Sequence, residues 1–571
     1  MRVAEADFET TTDATDCRVW AWAVCFCDDL DNVYIGTDID TFLLFAAKHR
    51  ADYYFHNLGF DGKFLVDRLF HLGYKWTSDR PGAGEFSTLV SAKGKFYQLE
   101  VGFYSGVRIK IRDSLKLFPM SVKKIAKAYD LPEGKGELDY SAKREVGHQI
   151  TDEEADYIRR DVQIVAQALV NNLEQGLDKM TIGSNAFGFF KKQMGKRLYQ
   201  KLFPVLPEEV DAAIRCSYRG GFTYVEPKWA GVDVWGGISV DYNSMYPSML
   251  ISKPYPVGEP VMFYGRYEDD SSHPLYVQTL VCSFKLRDGG IPMIQLRNSG
   301  FYGQHEYVRE TVEPTTITLT SPDMELFFGN YEVDVQEWLG GFKFACMLGK
   351  ELFGPYVDYW GSIKRKSVGP MRQLAKLMLN NIYGKFATNP DVTQKVPHMG
   401  ADGVVKWELG APETRDAVYI PVGSFCTAWA RHTLITAIHK NRDRFVYCDT
   451  DSMHLAGTED PAGIRLHDTD FCAWKVEGSF THARHLRAKC YIWDLNGRIG
   501  VTCAGMPDNV KRMCNFENFR FGLTNINPVT GNPCPGAACV LGVVCPGLGK
   551  LLPKAVPGGV VLVPSRYELK E

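Results

Sequence analysis

At 571 residues the chain is too long for one hydrophobic core, and about two to four domains are expected. Its 45% hydrophobic and 23% charged residues are ordinary for a soluble globular protein. A formal net charge of −3 excludes a uniformly basic nucleic-acid coat, so any such contact must use local patches. Three patches stand out: Arg108, Lys110, Arg112, Lys116, Lys123, Lys124 and Lys127; then Lys364, Arg365, Lys366, Arg372 and Lys376; then Arg484, Arg487 and Lys489. No run approaches the roughly 18 apolar residues of a membrane span, and the start lacks the regions of a secretory signal. The 15 cysteines are therefore expected to be reduced thiols in a cytosol. Cys534, Cys539 and Cys545 have neither CxxC spacing nor a histidine pair, which argues against zinc.

In chain order, Val3 to Thr11 alternates like a strand and places Asp7 and Glu9 on one face. Tyr53 to Asn57 reads as a buried aromatic strand. It leads to a turn at Gly59-Phe60-Asp61-Gly62 and a helix from Lys63 to Phe70. Thr151-Asp152-Glu153-Glu154 is a helix start, and the helix carries Tyr157 and Asp161 four residues apart on one face. The carboxylates of Asp7, Glu9, Asp61 and Asp161 form a set suited to two hard cations. Such a pair activates water for phosphodiester hydrolysis, with Tyr157 placed to orient it.

Further on, Tyr218-Arg219-Gly220-Gly221-Phe222-Thr223 joins a flexible glycine pair to a ring and a cation, suited to a phosphate backbone. Ser239 to Ser248 reads as a strand ending in Asp241, a turn, and Tyr246-Pro247. Gln373 to Gly384 has helical spacing and a terminating glycine. Lys376, Asn380 and Tyr383 make one polar stripe in front of Leu374, Leu377, Met378 and Ile382. That face suits a nucleotide, with Lys376 on the triphosphate, Tyr383 against base and sugar, and Lys364 as a second phosphate cation. Tyr447-Cys448-Asp449-Thr450-Asp451-Ser452 is a tight turn between two short strands. Its two carboxylates call for a divalent cation, because unpaired charges are costly to bury.

The segments Asp7-Phe8-Glu9, Asn57-x-x-x-Asp61 and Tyr157-x-x-x-Asp161 resemble the three motifs of proofreading 3′–5′ exonucleases. With Tyr54-Phe55-His56-Asn57-Leu58 and Val122 to Lys127, the chain resembles protein-primed family B DNA polymerases of the phage phi-29 type. The resemblance covers nearly the full length. It implies an α/β multi-domain fold: an RNase H-like exonuclease domain over 1–182, then a right-hand polymerase of palm, fingers and thumb over 183–571. It implies that His56, Asn57, Phe60, Ser114 and Leu115 grip a frayed single-stranded 3′ end, with Lys135 assisting hydrolysis. Tyr218, Gly220 and Gly221 would share the template between the two domains. Asp241 would join Asp449 and Asp451 around two cations for attack of a primer 3′-oxygen on an α-phosphate. Tyr246 would pack under the sugar and exclude a 2′-hydroxyl, Thr427 and Arg431 would hold primer and template, and Lys489 and Tyr491 would support the primer end. Insertions at about 253–350 and 389–415 would serve the priming protein and strand displacement, and the thumb would lie at about 516–571.

The implied cofactor is Mg²⁺, with Mn²⁺ as an alternative, two ions per active site. The implied partners are template-primer and single-stranded DNA, dNTPs and a terminal (priming) protein. A monomer in the host cytoplasm, away from membranes, is expected. A mobile-element polymerase, an exonuclease with a DNA-binding second half, and a catalytically dead end-binding protein are the rivals. The Gly/Pro/Cys-rich stretch 525–557 departs from the family, and a strand is expected at Val556 to Val563. If the basic patches meet phosphates, primer-end affinity measured by fluorescence anisotropy falls steeply between about 50 and 200 mM salt; a flat response refutes that role.

Overall fold

The computed structural model describes residues 2–129, 131, 138–140, 142–295, 307–524 and 551–570. Lys135 lies outside the described residues, as do Cys534, Cys539, Cys545 and most of the 525–557 stretch. The first part is built on an eight-stranded sheet in the order Asp29–Gly36, Val19–Phe26, Arg2–Thr10, Ala51–Phe55, Arg108–Asp113, Phe96–Gly102, Glu85–Val90, Lys75–Trp76. Period-two alternation sorts the Arg2–Thr10 strand. Ala4, Ala6 and Phe8 enter a core in which Phe8 meets the rings of Phe42 and Phe55 edge-on at 5.0 and 4.9 Å, while Glu5, Asp7 and Glu9 take the other face. The helix Asp152–Glu174 packs against this strand and its neighbour. Its start carries a complete capping box between Thr151 and Glu154.

One expected boundary moves. The helix predicted from Lys63 begins at Leu58 and runs to His71. Asn57 takes a left-handed φ of 78°, and its N–H donates to the Asp113 carboxylate at 3.1 Å. Gly62 is a packing residue and not part of a turn: a Cβ there would lie 3.1 Å from the Phe96 ring. Asp61 consequently sits in the first helical turn, held by rigid backbone.

The second part has a seven-stranded antiparallel sheet in the order Arg498–Cys503, Cys490–Leu495, Trp474–Arg487, Asp233–Tyr242, Ser452–Ala456, Phe445–Asp449, Thr223–Val225. The largest hydrophobic cluster lies with this part and includes the helix Ile420–Lys440, buried along most of its length. The helices Gly349–Lys366 and Gly369–Phe386 pack together in front of it. Gly384 does not end the second of these; the helix continues until Phe386 is buried among aromatic rings. Within the interval about 253–350, four antiparallel strands and the helix Ser321–Asn330 form a separate sheet. Within 389–415, Asp391–Met399 and Val405–Thr414 form a hairpin whose Val405 and Trp407 pack into the core of the first part. The compact segment from Trp493 to Val501 is a hairpin turning at Asn496-Gly497, both at positive φ.

The strand expected at Val556 to Val563 is corrected to a hairpin, Leu551–Val556 with Gly559–Pro564, because Pro557-Gly558 makes a turn. Its tip docks on the first part. A Cβ on Gly558 (φ 88°) would lie 2.2 Å from the Cys17 carbonyl oxygen, and one on Gly559 would strike the Phe64 ring at 2.5 Å. Gly558→Ala should cost roughly 1–3 kcal/mol through strain and overpacking. The readout is a lower melting temperature with faster proteolysis after residue 550, and unchanged proteolysis would refute the docking.

Candidate active sites

Two acidic centres emerge, one on each large sheet. In the first, burial is the main force on Asp7, Glu9 and Asp61, and neighbouring charge is the next. Burial and Asp161 push Asp7 up to about 8. Glu9 and Asp61 are driven well above the ordinary range by burial and by Asp7. Asp7, Glu9, Asp61 and Asp161, read from three separated segments, are thus brought together. The hydroxyl of Tyr157, one helical turn before Asp161, lies 3.1 Å from that of Tyr140, a partner that sequence reasoning did not name. Glu5 was also missed: only 1% exposed, it accepts a hydrogen bond from Ser114 while its Oε2 has no partner.

Around this centre Asn57 is exposed, and Phe60 and Leu115 are half-buried. Phe60 leans on Phe64 at 5.5 Å. Ser114 differs from a direct-contact expectation, because it is fully buried and lies 3.1 Å from His56 Nδ1. His56 Nε2 donates to the Met120 carbonyl at 2.7 Å. Burial lowers the His56 pKa, which keeps the ring neutral. The first basic patch is partly spent on its own fold: Arg112 pairs with Asp52, and Lys116 with Asp113.

The second centre lines a cavity of about 740 Å³ that contains Asp241, Asp451, Tyr246, Lys364, Lys376, Asn380 and Tyr383, together with Arg365 and Arg372 of the second basic patch. Burial, then Asp451 and Glu477, push Asp241 up to about 7; burial, with Asp449 and Glu477, pushes Asp451 up to about 6. Glu477 lines the same cavity and had no sequence signal. Tyr246 and Tyr383 stack with ring centroids 3.8 Å apart and planes 19° from parallel. Lys364 Nζ donates to Ser244 Oγ at 2.8 Å, and burial, then Lys376, lower its pKa. Asp449 stands at the end of the Phe445–Asp449 strand and pairs with Lys489 at 2.6 Å. Tyr491 packs on Tyr447 at 5.2 Å. In the third basic patch Arg484 makes a structural pair with Asp233 instead of presenting its charge.

Gly220 and Gly221 are exposed and Tyr218 is half-buried. A Cβ on Gly221 would lie 2.8 Å from Thr450 Oγ1, so this glycine also admits the Asp449-Thr450-Asp451 turn. Thr427 and Arg431, expected to hold primer and template, are both buried. Thr427 is 1% exposed, and its hydroxyl donates to carbonyls of its own helix. Arg431 is 3% exposed; it grips Asp323 at 3.0 and 2.7 Å and donates to the Arg219 and Gly220 carbonyls at 2.7 Å each. Both belong to a helix whose whole circumference is packed, which an apolar run of this length does not reveal by itself.

Carboxylate oxygens pushed upward by burial and mutual repulsion fit a hard divalent cation, which would restore their charge. Among the described residues no three His, Cys, Asp or Glu side chains could hold a metal by themselves. Substrate oxygens would complete the shell, as is usual for Mg²⁺.

Comparison with known proteins decides the family. The family described as DNA polymerase type B, organellar and viral, matches residues 45–149 and 142–467. The chain is 41% identical to the DNA polymerase of Bacillus phage B103 over the whole of both. It is 40% identical to that of Bacillus phage phi29, covering 100% of this chain and 99% of the relative. The chain belongs to the type B DNA polymerases. This polymerase also superposes over its full length on phi29 DNA polymerase complexed with primer-template DNA and incoming nucleotide substrates, with a TM-score of 0.92 at 39% identity. With the phi29 enzyme bound to single-stranded DNA the score is 0.90, also over 100% of each chain and at 39% identity. Its architecture is the family's: a mixed α/β exonuclease part followed by a right-hand polymerase. Enzymes of this family use divalent metal ions.

Arg431 allows a sharp test of position against contact. Arg431→Met strands Asp323, which is fully buried, and breaking such a pair costs about 3–5 kcal/mol. Denaturant melts should show that loss. A variant of parental stability that merely binds DNA weakly would restore the direct-contact reading.

Proposed function

We propose that this polymerase carries two chemistries: template-directed addition of deoxynucleotides at the Asp241/Asp449/Asp451 centre and 3′–5′ removal of mispaired ends at the Asp7/Glu9/Asp61/Asp161 centre. The observation that carries the first is the shared cavity, lined by the carboxylates of Asp241 and Asp451, the cations Lys364 and Lys376 and the stacked Tyr246–Tyr383 pair. Lys364 and Lys376 bind the triphosphate, while Asn380 and Tyr383 bound the base side. Tyr246, backed by Tyr383, sets a floor under the sugar that leaves no room for a 2′-hydroxyl, the group that separates ribo- from deoxynucleotides. Lys489 and Tyr491 stand where the primer end must arrive.

Two Mg²⁺ ions per centre, when bound, neutralise the carboxylates and the charge developing on the phosphate. At the exonuclease centre Tyr157 orients the attacking water, and Asn57, Phe60 and Leu115 receive the frayed end. His56 and Ser114 shape that pocket from behind, and Lys135 assists hydrolysis. The end-to-end match to DNA polymerases of Bacillus phages supports a role in phage DNA replication; on our reading the enzyme starts from a hydroxyl on a terminal protein, acts as a monomer in the host cytoplasm, and replicates a linear genome by strand displacement. No helix among the described residues is long and apolar enough to cross a membrane. The hairpin at 391–414, whose Val405 and Trp407 pack into the core of the exonuclease part, favours the strand-displacing reading because it bridges the two halves.

Asp449→Asn should abolish primer extension and leave digestion of single strands intact; loss of both would point to misfolding or a shared site. Asp7→Ala with Asp61→Ala should do the reverse, and continued nucleotide release would refute the first centre. Tyr246→Val should raise ribonucleotide incorporation at least about tenfold, scored by alkaline cleavage of the product. On a primed single-stranded circle with Mg²⁺ alone, products longer than one circle are expected. Shortened primer only would favour an exonuclease whose second half binds DNA.

A further inference from the structure

Asp449 accepts from four side chains of its own chain, and they are not equivalent. Lys489 Nζ lies 2.6 and 2.7 Å from its two oxygens. That lysine is half exposed, a charge on a flexible stem that solvent reaches. Thr450 Oγ1, 3.1 Å from Oδ1, belongs to the same turn and moves with it. The Tyr447 hydroxyl, 3.4 Å from Oδ2, comes from the same strand and makes a long contact. Thr223 is different. Its hydroxyl donates to Asp449 Oδ1 at 2.9 Å from a neighbouring strand, at the position paired directly with Asp449.

That neighbouring strand is firmly held. The Thr450 N–H donates to the Phe222 carbonyl at 2.7 Å. Gly221 lets the catalytic turn come so close that a Cβ would meet Thr450 Oγ1 at 2.8 Å. One residue earlier, Arg431 takes the carbonyls of Arg219 and Gly220, itself anchored by the buried Asp323. The segment Arg219 to Thr223 is therefore pinned at both ends, and a β-branched residue has few rotamers to spend. A carboxylate at the tip of a turn needs such a fixed external donor to keep its plane.

We propose that Thr223 is a positioning residue of the polymerase reaction: its hydroxyl sets the orientation of the Asp449 carboxylate and makes the strand that follows the glycine pair part of the catalytic centre. The proposal rests on the assignment of Asp449 to that centre. It explains why Gly221 lacks a side chain where the turn must approach and why a hydroxyl follows two residues later where the carboxylate stands. Outer-shell partners of this kind are typically worth 10–100-fold in activity or metal affinity.

The test uses the full chain with Thr223→Val, which keeps the shape and removes the hydroxyl, and Thr223→Ser, which keeps the hydroxyl. Single-nucleotide extension by Thr223→Val should slow by about 10–100-fold in kcat with little change in nucleotide KM, the pattern of an interaction used in the transition state. Mn²⁺ binding to the enzyme on primer-template, followed by electron paramagnetic resonance, should weaken in parallel. Thr223→Ser should restore both, and exonuclease rate and melting temperature should match the parent in each variant. Parental extension by Thr223→Val, or a Ser variant as slow as the Val variant, would overturn the proposal. Asp449→Asn run alongside separates the two layers: if it extends primers normally, the assignment of Asp449 is what has failed.

Discussion

Crowding of negative charge at low solvent exposure is the condition under which this enzyme is built. Asp7, Glu9, Asp61 and Asp161 crowd together where a strand and two helices meet, and Asp241 and Asp451 do so at a strand end and a turn. Repulsion of that kind is destabilising unless a cation or a proton relieves it. The protein bears the cost because the same unsatisfied field is what captures divalent ions and the phosphates they accompany. Rigid backbone makes the crowding sustainable: a central strand, a capped helix and a helix first turn on one side, two strand ends and a tight turn on the other.

The two centres handle relief differently. At the second centre Lys489 pairs with Asp449 at 2.6 Å, while burial and neighbouring charge push Asp241 and Asp451 upward. The exonuclease centre has Arg144 as a more distant counter-charge acting on Glu9, and Glu5 adds a further buried acid behind it.

The halves are also mechanically joined. The helix Leu58–His71, which carries Asp61, receives both the hairpin at 391–414 and the C-terminal hairpin at 551–564. Arg431 links the sheet inserted at 253–350, through Asp323, to the glycine pair beside the catalytic turn. Elements far apart in the chain thereby bear on the same few carboxylates.

Much of this was legible in the sequence, for local reasons. Strand alternation put Asp7 and Glu9 on one face, the capping box announced the helix bearing Tyr157 and Asp161, and helical spacing aligned Lys376, Asn380 and Tyr383. Short-range periodicity is set by backbone geometry, so no fold was needed to see it. What only the tertiary structure decided concerns partners and burial. Thr427 and Arg431 turned inward because their helix is packed on all sides, and Ser114 was enclosed by Glu5 and His56. The helix before Asp61 started early because Asp113, 56 residues away, takes the Asn57 N–H. Gly221, Glu477 and Thr223 gain their roles from contacts across strands that sequence order cannot reveal. Residue spacing determines which side chains share a face; only the closing of distant strands onto one another decides what each of those side chains touches.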